Sequence, residues 1–362
     1  MSQPGSGPAG LRIEKTSQPR PRPDEKELGF GRYFTDHMFI MDYTDGQGWH
    51  DPRIVAYGAM PFEPATMVFH YGQAVFEGLK AYTADDGRIL LFRPFKNMER
   101  INLSNDRLCI PPVDEKQAVD FMKQLILLDR DWIPTAEGTS LYIRPFIIAT
   151  DPYLGVRPSH TYLFMIILSP VGNYYAEGLN PVRILVETEY VRAVRGGTGY
   201  VKTPGNYAAS IKAQEVAHRK GYTQVLWLDG VERKYIEEVG TMNVFFVLGD
   251  EVVTPSLEGS ILDGITRDSA ITLLKHWGLK VTERRLSIDE LASSAESGRL
   301  KEAFGTGTAA VISPIGELNW MDKRYSVHEG RIGPLSKRLY DTITALQNGR
   351  LADEFHWVET VG

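Results

Sequence analysis

The feature that most limits how these residues can fold is one interruption near the middle. Residues 171–181 read VGNYYAEGLNP, so glycine, asparagine and proline replace the apolar runs on either side. With 362 residues the chain is too long for one ordinary hydrophobic core. The break therefore reads as a linker joining a first domain, residues 27–170, to a second, residues 182–362. Residues 1–26 are rich in proline, glycine, serine and charge (PGSGPAG, QPRPRPDEK) and have no apolar periodicity. They are expected to form a mobile tail.

The first domain mixes strand and helix signals. FTDHMFIMDY, RIVAYGAM and RILLFRPF read as strands, with Asp86-Gly87 as a turn. Residues 97–107 are polar and helix-like, and residues 118–131 carry Val119, Met122 and Ile126 at helical spacing. SLYIRPFIIAT and TYLFMIILSP are expected as two buried strands. In the second domain VRILVETEYVR and TQVLWLD read as strands, and MNVFFVLGDEVVTP as a hairpin turning at Gly249-Asp250. Asn206 is expected to cap a helix running to Lys220, with Gly221 just past its end. An amphipathic helix covers residues 265–277, and Ser287 with Glu290 makes a capping box for the next one. The pattern is that of a two-domain α/β (α+β) protein.

Bulk properties weigh against several function classes. The net charge is -6, from 40 basic and 46 acidic residues scattered along the chain, which supports neither nucleic-acid nor membrane binding. The longest apolar run, residues 162–168, is strand-sized, and no apolar leader precedes the first domain. A cytoplasmic protein is expected. The eight histidines form no HxH or HExxH pair, and Cys109 is the only cysteine, so no metal site is expected. Cys109 cannot form an internal disulfide and is expected to be a small buried apolar residue. A GxSxG nucleophile elbow is absent. Gly305-Thr306-Gly307 lacks the third glycine of a dinucleotide loop, and Pro314 follows too soon for the helix such a loop needs.

Four stretches remain that can carry chemistry. Lys202 lies in GGTGYVKTPGNYAAS, a glycine-rich run entering a helix, where its amine can condense with an aldehyde cofactor. Tyr207, five residues on, can place a phenol beside that cofactor. EEVGTMN sets a carboxylate just before an apolar strand, where it needs a partner such as a protonated pyridine nitrogen. Spacing alone does not separate Glu237 from Glu238 for this role. ILDGITRDS places a glycine before a helix start, so the N–H groups of Ile265 and Thr266 and the helix dipole favour an anion. FGTGTAA offers hydroxyls and N–H groups in a tight turn suited to a phosphate or carboxylate.

In order and spacing, these stretches resemble the branched-chain-amino-acid aminotransferases of fold type IV. FTDHM, FHYGQAVFEGLKAY, FRPFKNMER, SLYIRPF, VKTPGNYAAS, QVLWLDG, EEVGTMN, LDGITRDS and FGTGTAAVISP carry the resemblance from about residue 29 to residue 357. The longer, eukaryotic-like subclass fits better than the shorter bacterial one. The resemblance implies a smaller N-terminal mixed α/β domain and a larger C-terminal domain with a β-barrel-like sheet and helices. It implies pyridoxal 5′-phosphate as cofactor, held covalently by Lys202, which also moves the proton at the substrate Cα. Tyr207 would hydrogen-bond the cofactor phenolic oxygen, Glu238 would pair with the ring nitrogen, and Leu262 would pack on the ring. Arg93, Ile265, Thr266 and Thr308 would hold the phosphate.

The substrate carboxylate would meet Tyr71 and the Thr308–Ala309 backbone. The side-chain pocket would comprise Phe34, Phe76, Tyr142, Thr241 and Val156 of a neighbouring subunit, implying a homodimer with shared active sites. Arg144 would take the γ-carboxylate of glutamate or 2-oxoglutarate. Leucine, isoleucine and valine would be the amino donors. Other fold type IV enzymes, acting on D-amino acids or on aminodeoxychorismate, share the lysine and glutamate but differ in the pocket. A CxxC redox pair found in some members is absent, since Ala310 and Ser313 stand at those positions.

Overall fold

In a computed structural model of the chain, residues 10–172 and 179–362 are described. They form two compact units. The first takes the described residues up to 172 with Lys202–Pro204 and Ala345–Gly362, and the second takes residues 179–201 and Gly205–Thr344. Most of the expected linker, residues 173–178, lies outside the described residues, as do residues 1–9 of the expected tail.

The first unit is built on a nine-stranded sheet. Its order is Arg12–Ile13, Gly48–Ala56, His37–Thr44, Thr161–Val171, Ser140–Ala149, Leu79–Thr83, Ile89–Phe92 and Val358–Val361, with Ala74–Phe76 paired separately to Ser140–Ala149. The two apolar runs expected as buried strands pair along their full length, from Ser140 opposite Val171 to Ala149 opposite Tyr162. Burial alternates along Ser140–Ala149, as a period of two requires. Leu141, Ile143 and Ile147 point into the core, where they join Phe121, Met122, Leu125 and Ile126 of the helix Glu115–Leu128. The same alternation puts Tyr142 and Arg144 together on the opposite face.

Three expectations need correction here. Residues 10–26 are tied down. Arg12–Ile13 adds a parallel edge strand, Thr16 N–H donates to His37 Nε2 (2.9 Å), and Arg20 N–H donates to Asp36 (2.7 Å). The second domain does not extend to residue 362, because Val358–Val361 pairs with Ile89–Phe92 and closes one edge of the first sheet. The first unit is thereby the longer of the two. Cys109 is exposed. It follows the helix Pro94–Arg107 with φ of 55°, the left-handed position usually filled by glycine, and its side chain faces solvent.

The second unit holds another nine-stranded sheet, ordered Ile236–Val239, Gln224–Leu228, Val182–Val186, Val311–Trp320, Leu300–Gly307, Asn243–Leu248, Glu251–Thr254 and Lys280–Glu283. Lys323–Ser326 also pairs with Val311–Trp320. That long strand changes partner midway. Residues 311–314 pair with Leu300–Gly307, and residues 315–319 pair with Val182–Val186 across a register break between Ile315 and Glu317. A strand that switches partners at a bulge turns the sheet, which gives it its barrel-like character. Gly316 sits at the turn, where an added Cβ would come within 2.9 Å of Pro181. Gly249 makes the expected hairpin turn with φ of 66°. Gly221 closes the helix Pro204–Arg219 with φ of 80°, and the Ser287 side chain caps Ile288–Glu296 through Glu290 N–H (3.1 Å).

Candidate active site

In the second unit Tyr207, Glu238, Gly240, Thr241 and Leu262 line one pocket with Arg192, Gly199, Val201, Asn206 and Ser210. Four of the residues picked from the sequence thus share a cavity: Tyr207, Glu238, Thr241 and Leu262. Asn206 serves it differently from expectation. The helix starts at Pro204, so Asn206 lies inside its first turn rather than at its cap. Its amide donates to Thr198 O and Val201 O (both 2.8 Å), and Thr198 Oγ1 donates to Asn206 Oδ1 (2.8 Å). The glycine-rich loop before the helix is therefore pinned by one side chain. Val201 belongs to the pocket wall, and Lys202 follows it by one peptide bond.

Strand geometry separates Glu237 from Glu238. Both lie on Ile236–Val239, so their side chains leave on opposite faces. Glu238 faces the pocket of Tyr207 and Leu262, whereas Glu237 faces a separate cavity. Glu238 is 4% exposed. Leu262 N–H donates to its Oε1 (2.9 Å), and Arg192 Nε lies 3.4 Å from its Oε2. Arg192 itself donates to the carbonyls of Ser260 and Gly199. These partners satisfy part of a buried carboxylate that lines the cavity. Arg192 carried no signal in the sequence beyond being an arginine near a glycine run.

From Leu262 the chain runs into the helix Ile265–His276 through Gly264, a cap residue without a side chain to cover the first-turn N–H groups. A Cβ at Gly264 would fall 1.9 Å from Asn243 Oδ1. Asn243 also donates to Leu262 O (2.8 Å), so this asparagine of EEVGTMN fixes the loop between the pocket and the helix start. Thr266 is 8% exposed. Thr308 and Ala309 occupy the turn between Leu300–Gly307 and Val311–Trp320. Val311 closes that turn with φ of 59°, a strained state for a β-branched residue and one that clusters at functional sites.

Lys202 belongs to the first unit. Its N–H donates to Ser104 Oγ (3.0 Å), its carbonyl accepts from Phe76 N–H (3.1 Å), and its Nζ lies 4.9 Å from the Phe76 ring centre. Thr203 Oγ1 adds a bond to Ala74 O (2.9 Å). Beneath them Glu77 is fully buried and receives a bidentate pair from Arg100 (2.7 and 2.9 Å) and an amide bond from Asn97 (2.8 Å). Burial pushes the Glu77 carboxyl up, but Arg100, the Lys202 charge and Asn97 outweigh it and hold it below 4.5. Its stabilising effect is complete above the unfolded value and is lost as pH falls through the lower folded value. Urea midpoints of the natural chain should therefore drop more steeply below pH 4.5 than those of Glu77→Gln. Parallel pH curves would reject the role of this charge.

The remaining residues picked from the sequence lie as follows. Arg144 Nη2 donates to Tyr142 Oη (3.0 Å), and its guanidinium lies 4.9 Å from the Phe76 ring centre. Arg144 Nε is buried without a hydrogen-bond partner among the described residues. A Cβ at Gly78 would meet Tyr142 Oη at 2.0 Å, so glycine there admits the phenol. Phe34 stacks on Tyr57 at 5.0 Å. Arg93 caps Pro94–Arg107 with φ of 52° and lies over Trp357 at 5.0 Å. Tyr71 Oη donates to Leu154 O, and Val156 in the same loop is 88% exposed.

Pyridoxal phosphate asks for a reactive amine, an anion for its ring nitrogen and a seat for its phosphate. The buried Glu238, beside the phenol of Tyr207, fits the second of these, and the helix start at Gly264, which has no side-chain cap, fits the third.

Comparison with known proteins agrees. The model of the amino-transferase class IV family matches residues 74–318. The chain is 63% identical over 351 residues to branched-chain-amino-acid aminotransferase 2 of Bacillus subtilis, covering 97% of each, and 54% identical to a probable branched-chain-amino-acid aminotransferase of Staphylococcus aureus, covering 96% of this chain and 97% of that one. Among solved structures it resembles the Escherichia coli branched-chain amino acid aminotransferase (TM-score 0.76, 28% identity, 90% of this chain and 99% of that one). It also resembles a second branched-chain amino acid aminotransferase, from the organism abbreviated T.th., complexed with N-(5′-phosphopyridoxyl)-L-glutamate (TM-score 0.71, 25% identity, 89% of this chain and 98% of that one). The fold is that of fold type IV. Together the matches establish that the chain belongs to the class IV aminotransferases and, within them, to the branched-chain-amino-acid aminotransferase family.

Proposed function

We propose that this chain moves the amino group of L-leucine, L-isoleucine or L-valine to 2-oxoglutarate in two alternating half-reactions, with pyridoxal 5′-phosphate as cofactor. The observation that carries the reading is Glu238, a buried carboxylate facing a pocket shared with Tyr207 and Leu262. The relatives' names support the donors, and the phosphopyridoxyl-glutamate complex of the T.th. enzyme supports the cofactor and the acceptor. Pyridoxal phosphate, when bound, supplies an aldehyde to take the amino group and an electron-poor ring to take up charge released at the substrate Cα.

The chain's own groups do the rest. Lys202 holds the cofactor through Nζ, then takes and returns the proton at the substrate Cα. Glu238 keeps the ring nitrogen protonated, and Tyr207 donates to the phenolic oxygen. Leu262 covers the ring. Arg93, the N–H groups of Ile265 and Thr266, and Thr308 bind the phosphate. Tyr71 with the Thr308–Ala309 backbone receives the substrate carboxylate. Phe34, Phe76, Tyr142, Thr241 and a partner's Val156 form the apolar pocket that favours branched side chains. The homodimer reading draws support from Phe69, Leu154 and Val156, apolar residues exposed by 61%, 72% and 88% in the single chain.

Arg144 would receive the γ-carboxylate of 2-oxoglutarate. The test is an absorption spectrum of the purified protein. Leucine should remove a visible cofactor band and 2-oxoglutarate should restore it. In Arg144→Ala the restoring step should slow about tenfold more than the leucine step. A band unmoved by leucine would reject the donor, no band after adding cofactor would reject the chemistry, and equal slowing would reject the Arg144 role.

A further inference from the structure

We infer that Arg192 is a positioning residue for the reaction, one that holds the Glu238 carboxylate in its charged form and in a fixed orientation. The inference rests on the function proposed above, because it concerns the group that pairs with the ring nitrogen. Arg192 lines the same pocket as Glu238, Tyr207 and Leu262 and is buried. Its guanidinium reaches three groups at once. Nε lies 3.4 Å from Glu238 Oε2, Nη1 donates to Gly199 O (3.5 Å), and Nη2 donates to Ser260 O. The contact with Glu238 is an ion pair, since Nε makes no hydrogen bond among the described residues.

These contacts close a ring. Ser260 lies two residues before Leu262, and Leu262 N–H donates to Glu238 Oε1 (2.9 Å). One carboxylate oxygen is thus held by the loop that Arg192 ties down at Ser260, and the other meets the guanidinium itself. Turning the carboxylate about its last bond would loosen both contacts. Glycine makes the arrangement possible. A Cβ on Gly199 would fall 2.2 Å from Ser260 O, so a residue without a side chain lets both carbonyl acceptors come within the span of one guanidinium. Gly199 also lies three residues before Lys202, so the same side chain steadies the run that leads to that lysine. Charge adds to geometry. Burial disfavours the ionised form of a carboxylate, and a cation beside it favours that form. Lysine would keep the charge but not the planar fork that serves two carbonyls and a carboxylate together.

The test loads the protein with pyridoxal phosphate isotopically labelled at the ring nitrogen and records that nitrogen's magnetic resonance, which reports whether it carries a proton. Glu238→Gln marks the position of the resonance when the acid is neutral. Arg192→Met should move the resonance from the natural position toward that of Glu238→Gln. It should also lower kcat about tenfold or more, with the leucine KM within about threefold. Arg192→Gln removes the charge but keeps an amide donor for the buried carbonyls, so it serves if the methionine variant folds poorly, and it should show the same shift. Arg192→Lys should keep the natural resonance and recover part of kcat. A folded neutral variant with the natural resonance would make Arg192 merely structural and overturn the inference, as would a lysine variant shifted as far as the neutral ones. If Glu238→Gln itself leaves the resonance unmoved, the role of Glu238 falls and this inference falls with it, an outcome told apart by which variant is silent.

Discussion

Replacing Lys202 with alanine should cut leucine turnover by about four orders of magnitude or more while leaving the fold in place. One side chain supplies both the covalent hold on the cofactor and the proton transfer, and general acid–base action alone is worth about 10²–10⁴. The structural cost is small because the bonds at this position are made by the backbone. Lys202 N–H to Ser104 Oγ and Phe76 N–H to Lys202 O both survive the change. The side-chain loss includes a cation 4.9 Å from the Phe76 ring, worth about 0.5–1 kcal/mol, and a charge that helps to hold the buried Glu77 carboxylate, which keeps Arg100 and Asn97. The thermal midpoint should therefore move by only a few degrees. Turnover close to that of the natural protein would remove Lys202 from the reaction, and a collapse of the fold would make its role structural.

Glu238→Ala should do damage of both kinds. Arg192 is 9% exposed, and removing Glu238 strips its buried charge partner and the acceptor of Leu262 N–H. Breaking such a buried pair costs about 3–5 kcal/mol, and the lower end applies because Arg192 keeps two carbonyl acceptors. Glu238→Gln is the sharper comparison. It keeps the shape and can still accept from Leu262 N–H, yet cannot be an anion, so kcat should fall about 10²–10³-fold with a modest change in the urea midpoint. Glu237→Gln is the control, expected to leave kcat nearly unchanged. If Glu237→Gln were the crippled variant, the assignment made from strand alternation would be reversed.

The strongest elements were legible because local chemistry and tertiary burial agree in them. Ser140–Ala149 and Thr161–Val171 are rich in β-branched and aromatic residues, and Gly221 and Gly249 stand where a left-handed backbone is needed. Other features depend on partners distant in the sequence. Arg12–Ile13 is a strand only because it lies beside Arg53 and Ile54, and two residues carry no periodicity of their own. Cys109 looked like core by residue type, but the end of the preceding helix turns it outward. Asn206 has the composition of a cap, yet its amide is claimed by Thr198 and Val201. In the second-unit pocket, Tyr207, Glu238, Thr241 and Leu262 were legible through ordered motifs. Arg192 and the role of Asn243 were not, since each acts through a carbonyl or carboxylate that only the folded sheet brings near.

The pairing of Val358–Val361 with Ile89–Phe92 has a consequence for how the protein is made. Ile89, Leu90, Leu91 and Phe92 emerge from the ribosome early and are all buried in the finished sheet. Their edge stays open until residues 358–361 have been synthesised, so the first unit cannot reach its final form while the second is still being translated. During that interval an apolar strand with unpaired N–H and C=O groups is exposed to other nascent chains. Arg93 waits on the same event, because its N–H donates to Trp357 O (2.6 Å) and its guanidinium lies over that indole. Chains stalled or cleaved before residue 357 should therefore accumulate as aggregates rather than as a weakened enzyme.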